Sequence, residues 1–306
     1  MTKVIEADTG FKVWWHLTRP HTLTASFVPV FLGTAIALAV DHETIHFGLF
    51  FAMLVASMLI QAATNMFNEY YDFKRGLDNE NSVGIGGTIV RHGVSPKTIM
   101  TIALSFYAIA MLLGFYICAM SSWWLVAVGL VCMLIGFLYT GGPYPIAYSP
   151  FGEIVSGAVM GMGIVLIAFF IQTGEVTLDA VLISVPSMIL VGAIMLSNNI
   201  RDIVGDTEGG RKTMAILVGR DKAITILAAF FIISYIWIVS LIVLGHLTPW
   251  ALLILLSVKK PIEAVKLFRA KEKPLEVMPA MKFTAQTNTI FGFLLAIGLL
   301  VSYLFV

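Results

Sequence analysis

The sequence predicts an all-α, polytopic membrane protein, with nine transmembrane helices around a central intramembrane cavity in one domain covering residues 1–306. Three observations carry that prediction. Hydrophobic residues make up 58% of the chain and charged residues 12%, against about 45–50% and about 25% in soluble domains. The apolar residues gather into runs that can cross a hydrocarbon core about 30 Å thick, which takes roughly 20 helical residues. All 19 Lys and Arg residues fall in four segments separated by pairs of those runs.

The same composition excludes other classes. A net charge of +1 gives no case for a nucleic-acid partner. Cys118 and Cys132 both lie in apolar runs and no C-x-x-C occurs, so neither a disulfide framework nor a thiolate metal site is expected. The N-terminal stretch up to His21 is too polar and too acidic for a cleaved signal peptide, so insertion is expected through the first membrane helix.

Taken in order, the expected spans are 22–41, 47–68, 98–119, 122–140, 152–172, 179–199, 222–244, 247–262 and 284–306. The first follows a basic tail with Lys3, Lys12 and Arg19. The second runs into a dense polar stretch from Asn65 to Asp78. The third and fourth are joined only by Ser121-Ser122, and the fourth ends in Tyr139-Thr140-Gly141-Gly142-Pro143-Tyr144-Pro145. The sixth runs into a second polar stretch, Asn198 to Asp206. The eighth is the shortest, since LTPWALLILLSV precedes Lys259-Lys260. Lysine snorkelling extends it, and an interfacial or re-entrant segment is the alternative.

Charge placement favours nine spans. The loop after the second span has Lys74, Arg75, Arg91 and Lys97. The segment after the sixth has Arg201, Arg211, Lys212, Arg220 and Lys222, and that after the eighth runs from Lys259 to Lys282. With nine spans every cation lies on one face. The positive-inside rule then puts the N-terminus and these loops in the cytoplasm and the C-terminus outside. Lys259 to Lys282 suits contact with anionic headgroups of the surrounding lipids.

The unusual chemistry lies in the two polar stretches. On one continued helix Gln61, Asn65, Asn68 and Asp72 share a face, and so do Asn198, Asp202 and Asp206. Any one of these alone would pass as an interfacial helix-end residue. The same Asn-x-x-x-Asp pattern at the ends of the second and sixth spans argues instead for a paired site, because polar groups in a membrane helix are expensive to bury. Carboxylate and amide oxygens without His or Cys suit a hard divalent cation. Few dedicated ligands on two facing clusters resemble an Mg²⁺ site completed by substrate phosphate. The candidate metal ligands are Asn68, Asp72, Asn198, Asp202 and Asp206, with Asp72, Asp202 and Asp206 as the catalytic set.

Basic residues near them complement phosphate charge, arginine best of all. Arg75, Arg91, Arg201, Arg211 and Lys212 can all do so; Arg91, in a Gly-rich loop of apolar residues, Arg201 and Lys212 are the substrate-binding candidates, with Asn65 and Asp78 beside the first stripe. The broken segment after the fourth span is at least a tight turn. Its tyrosines also suit an aromatic pocket, which adds Tyr139 and Tyr144.

These residues carry a family resemblance. NEYYDFKRGLD, GGTIVRHGVSPK, YTGGPYPIAYSPFGE, NNIRDIVGDTEGGRKTMAILVGR and RPHTL at Arg19–Leu23 resemble the UbiA-type intramembrane aromatic prenyltransferases, within that superfamily the naphthoate branch of menaquinone synthesis. The resemblance spans residues from about 15 to 300. It implies Asn68 and Asp72 in the first Asp-rich motif, and Asn198, Asp202 and Asp206 in the second. Glu69 stands where the wider superfamily has Asp, Gly76 and Asp78 replace its last Asp, and Pro143 replaces a common Lys. The Gly76-x-Asp78 form and Pro143 match the naphthoate branch. The implied reaction joins a polyprenyl diphosphate, held on Mg²⁺, to dihydroxynaphthoate in a multi-pass cell-membrane enzyme, with loss of CO₂. The residues alone leave open another acceptor (4-hydroxybenzoate, a chlorophyllide or a glycerol phosphate) or an ion-coupled transporter.

Overall fold

A computed structural model describes residues 10–20, 22–40, 43–77 and 87–305, and these are helical throughout their regular segments. The helices are α1 Phe11–Leu17, α2 Thr24–Ala39, α3 Phe47–Lys74, α4 Thr88–His92, α5 Pro96–Met120, α6 Leu125–Leu138, α7 Gly152–Ser156, α8 Ile164–Thr173, α9 Leu178–Glu208, α10 Met214–Val218, α11 Arg220–Val243, α12 Lys259–Ala270 and α13 Pro274–Phe305. A π-helical stretch, Gly157–Gly163, joins α7 and α8 into one rod.

Local chemistry sets the boundaries. Ser95 caps α5, accepting from the Thr98 N–H at 3.2 Å, with Pro96 in the first turn. Thr177 caps α9 through the Ala180 N–H at 3.3 Å, with Asp179 in the first turn. Each side-chain oxygen satisfies a backbone donor that the helix leaves free, and acidic first-turn residues favour the helix dipole.

Among the described residues six rods are long and apolar enough to cross a membrane: Phe47–Lys74, Pro96–Met120, Gly152–Thr173, Leu178–Glu208, Arg220–Val243 and Pro274–Phe305. The helices of the first and fourth expected spans, α2 and α6, are shorter, at 16 and 14 residues. The eighth is not one α-helix. Pro249–Ser257 is a 3₁₀ helix, and α12 follows it. A 3₁₀ helix rises about 2.0 Å per residue against 1.5 Å for an α-helix, so the short apolar stretch reaches further than its length suggests. The amphipathic α12 buries Pro261, Ala264 and Phe268.

Two contacts position the site. Phe67 on α3 is fully buried, with Tyr107 and Phe137 packed edge-on at ring-centroid distances of 5.0 and 5.3 Å. In lipid such packing is held by dispersion rather than by exclusion of water. The π-helical stretch meets α9 backbone to backbone. A Cβ on Gly157 would stand 2.3 Å from the Met188 carbonyl oxygen, and one on Gly161 2.5 Å from that of Ser187. Only glycine permits that approach, and it fixes where α9 presents its polar end.

Candidate active site

The last four turns of α3, as far as Lys74, carry the first polar stripe, and its members are tied into a network. Asn65 donates through Nδ2 to the Thr18 carbonyl and to Thr22 Oγ1, both at 2.9 Å. Gln61 donates to Thr22 Oγ1 at 3.3 Å. With its amide oriented to suit its neighbours, Asn68 donates to Asp72 Oδ2 at 2.5 Å and accepts from Arg19 Nη1 at 3.3 Å. Arg19 adopts φ 49°, a strained conformation for a residue with a Cβ. Such outliers persist where the surroundings hold them, and here Asn68 and Glu69 do.

Glu69 turns away from the stripe. It is 1% exposed and accepts from the N–H groups of Gly87, at 2.9 Å, and Ile89, at 3.2 Å. Arg19 Nη2 lies 3.7 Å from its Oε2. The carboxylate caps α4 and so anchors the short helix that carries Arg91.

The second stripe closes on the first through one guanidinium. Arg211 Nη2 lies 2.6 Å from Asp72 Oδ1 and its Nη1 3.0 Å from Asp206 Oδ1. Burial by itself would lower the Arg211 pKa, but Asp72 and Asp206 outweigh it and raise the value, so the group stays cationic. Asp202 is paired separately, accepting from Arg201 Nε at 2.6 Å and Nη2 at 2.5 Å. Arg75 donates to the carbonyls of Thr140, at 2.5 Å, and Gly142, at 2.9 Å. Arg75 and Arg211 both lie over the Tyr148 ring, 5.4 and 5.3 Å from its centroid.

These side chains surround a polar cavity of about 790 Å³. Asn65, Asn68, Asp72, Arg91, Tyr139, Asn198, Arg201, Asp202 and Asp206 all line it, so most of the candidates from both stretches meet there. A second, mainly apolar chamber of about 230 Å³ lies among α3, α5, α6 and the α7–α8 rod. Gln61, Asn65, Asn68, Tyr139, Ser156, Met160 and Met195 line both, so the two spaces share a wall.

Two expected residues stand apart. Tyr144, between two prolines in the turn after α6, is 92% exposed and outside the cavity wall. Lys212 is also exposed; its backbone N–H, not its amine, makes the local contact, donating to the Tyr148 carbonyl at 3.0 Å. Asp78 lies outside the described residues. Sequence reasoning passed over Arg19, which holds Asn68 and Glu69 together, although the RPHTL block contains it. It also passed over the pair Glu153 and Asn199, whose contact joins α7 to α9.

The donor set fits a hard cation. Asp72 and Asp206 arrive from different helices at one positive group, and Asn68 and Asn198 line the same cavity. Among the described residues no three His, Cys, Asp or Glu side chains form a complete ligand group. An Mg²⁺ ion held there would need waters and substrate oxygens to complete its shell.

Comparison with known proteins gives the family. Residues 26–274 match the model of the UbiA prenyltransferase family. The chain is 61% identical over 292 residues to 1,4-dihydroxy-2-naphthoate octaprenyltransferase of Bacillus subtilis, covering 95% of this chain and 93% of that protein. It is 27% identical to the protein of the same description in Mycobacterium tuberculosis, over 94% of this chain and 96% of the other. The fold is similar to that of a UbiA homologue from Aeropyrum pernix K1 (TM-score 0.68, 16% identity, 92% and 98% coverage). It is also similar to that of one from Archaeoglobus fulgidus bound to GPP and Mg²⁺ (TM-score 0.64, 16% identity, 92% and 99% coverage). With paired carboxylate stripes on α3 and α9 and a family match across most of its length, the chain belongs to the UbiA prenyltransferase family.

Proposed function

We propose that this protein is an Mg²⁺-dependent prenyltransferase that joins a polyprenyl diphosphate to 1,4-dihydroxy-2-naphthoate, releasing diphosphate and CO₂ and giving demethylmenaquinol. The observation that carries the reading is the wall shared by the polar cavity and the apolar chamber. A diphosphate ester of a long hydrocarbon needs both environments side by side. The relative from Bacillus subtilis, 61% identical, supports the choice of naphthoate as acceptor.

Asn68, Asp72, Asn198, Asp202 and Asp206 would hold the metal. When bound, Mg²⁺ supplies Lewis-acid stabilisation of the charge that develops on the departing diphosphate. The chain's own cations add to this. Arg91, Arg201 and Arg211 line the polar cavity, and fixed positive groups aimed at a growing anion are the strongest single catalytic device. As the allylic C–O bond breaks, an electron-deficient carbon is left at the junction of the two spaces. The apolar side chains there, Met160 and Met195, keep water from it. The electron-rich naphthoate ring then forms the C–C bond, and its carboxylate leaves as CO₂.

The reading includes an orientation in a bacterial cell membrane, with the N-terminus and both polar loops in the cytoplasm and the C-terminus outside. The one-sided placement of all 19 Lys and Arg residues supports it. A transporter would need its carboxylates near midplane, and Asp202 and Asp206 lie in the last turns of α9 instead.

The test uses purified protein with Mg²⁺, dihydroxynaphthoate and a labelled polyprenyl diphosphate. A labelled, lipid-soluble naphthoquinol is expected, and EDTA should abolish its formation. No product, or product undiminished by chelation, would refute the reading.

A further inference from the structure

Glu153 is a carboxyl group that the reaction above does not use. It sits in the first turn of α7 and is 2% exposed. Ionisable groups inside membrane bundles are expensive and mark function more often than packing. Its Oε1 accepts from Asn199 Nδ2 at 2.9 Å, while Oε2 is buried with no hydrogen-bond partner among the described residues. A contact kept only for packing would be more stable with an apolar side chain, because a buried acceptor left unpaired is destabilising. The carboxyl group therefore serves the residue it holds.

Asn199 lines the polar cavity and Glu153 does not. An amide carries its donor and acceptor on opposite arms of one fork. With Nδ2 held by Glu153, Asn199 turns its Oδ1 away from α7. On α9 it stands seven residues before Asp206, about two turns deeper and within about 20° of the same azimuth. One turn deeper again is Met195, part of the wall shared with the apolar chamber. Asn199 thus lies between the level of the carboxylates and the level of the tail.

We propose that Glu153 and Asn199 form a positioning pair for the aromatic acceptor, in which Glu153 orients the Asn199 amide and its carbonyl oxygen accepts a hydrogen bond from a ring hydroxyl. The proposal rests on the prenyltransferase reading. The reactive allylic carbon lies between diphosphate and tail, so the ring that attacks it must come to the depth Asn199 occupies. A hydroxylated ring offers a donor there, and the fixed amide offers the matching acceptor. A hard cation would also accept that oxygen as a ligand, and the test separates the two.

The experiment compares Asn199→Leu, Glu153→Leu and Glu153→Gln in the full-length protein, reading KM for each substrate and the Mg²⁺ requirement. Asn199→Leu should raise KM for the dihydroxynaphthoate about 10-fold, the worth of one hydrogen bond, with KM for the prenyl diphosphate and the Mg²⁺ requirement nearly unchanged. Glu153→Leu should do the same, and Glu153→Gln, which still offers an acceptor oxygen to Asn199, should recover most of the loss. Wild-type protein should also bind a monomethyl ether of the acceptor more weakly than the diol, and Asn199→Leu should lose that discrimination. Equal rises in both KM values, a raised Mg²⁺ requirement, or Glu153→Gln as impaired as Glu153→Leu would overturn the pair. If the wild-type enzyme prenylates a different phenol, the naphthoate reading fails, while the same comparison on that phenol still decides the pair.

Discussion

Arg211 and Asp72 are 139 residues apart in sequence, yet Arg211 Nη2 lies 2.6 Å from Asp72 Oδ1. The same guanidinium reaches Asp206 on α9 at 3.0 Å. One cation therefore holds two carboxylates that would otherwise repel at close range.

Replacing it should expose that repulsion. Arg211→Met is expected to lower kcat/KM for the prenyl diphosphate about 100-fold, the usual loss on removing one charged transition-state contact. It should also lower the melting temperature more without Mg²⁺ than with it, because a bound cation would replace the missing charge. Thermal unfolding in detergent with and without the metal checks this; equal shifts in both conditions would count against the bridge.

The carboxylates themselves should be indispensable. Asp72→Ala and Asp202→Ala are each expected to remove at least about 1,000-fold of the activity, several kcal/mol of charge stabilisation, without loss of the protein from membranes. Activity per milligram of immunodetected protein measures both. Near-normal turnover in either variant would remove that residue from the metal site.

Glu69 should behave differently from its neighbours. Its carboxylate caps α4 rather than facing the cavity. Glu69→Ala should destabilise the fold by about 2 kcal/mol, the loss of a buried charged cap, and increase proteolysis around Gly87. A variant as stable as wild type but inactive would move Glu69 into the site.

Tyr144 offers the opposite control. With its side chain 92% exposed, Tyr144→Ala should change kcat/KM by no more than about twofold, the scale of an ordinary surface substitution. A larger loss would show that the turn folds inward during turnover.

How much of this could be read from the residues differs by element. The apolar runs and the two Asn-x-x-x-Asp stripes were legible because each is a local pattern, fixed by helical periodicity along one segment. The Arg211 bridge, the Glu69 cap and the Glu153–Asn199 contact were not, because each depends on how distant segments pack. Tyr144 shows the converse limit: an aromatic residue in a broken segment looks like part of a pocket until the turn decides which way it points. The eighth span was ambiguous for a physical reason, since its short stretch takes the more extended 3₁₀ form.

The wall of the apolar chamber has a kinetic meaning. Met111 and Phe115 on α5 and Leu130 on α6 line the chamber and are also exposed, so a single layer of side chains separates its contents from the surrounding acyl chains. The bilayer is then the solvent from which the hydrocarbon substrate is drawn and to which the product returns. For that substrate the concentration that governs saturation is its mole fraction among the lipids, and diluting the membrane with inert lipid should slow the enzyme as surely as diluting a soluble substrate with water.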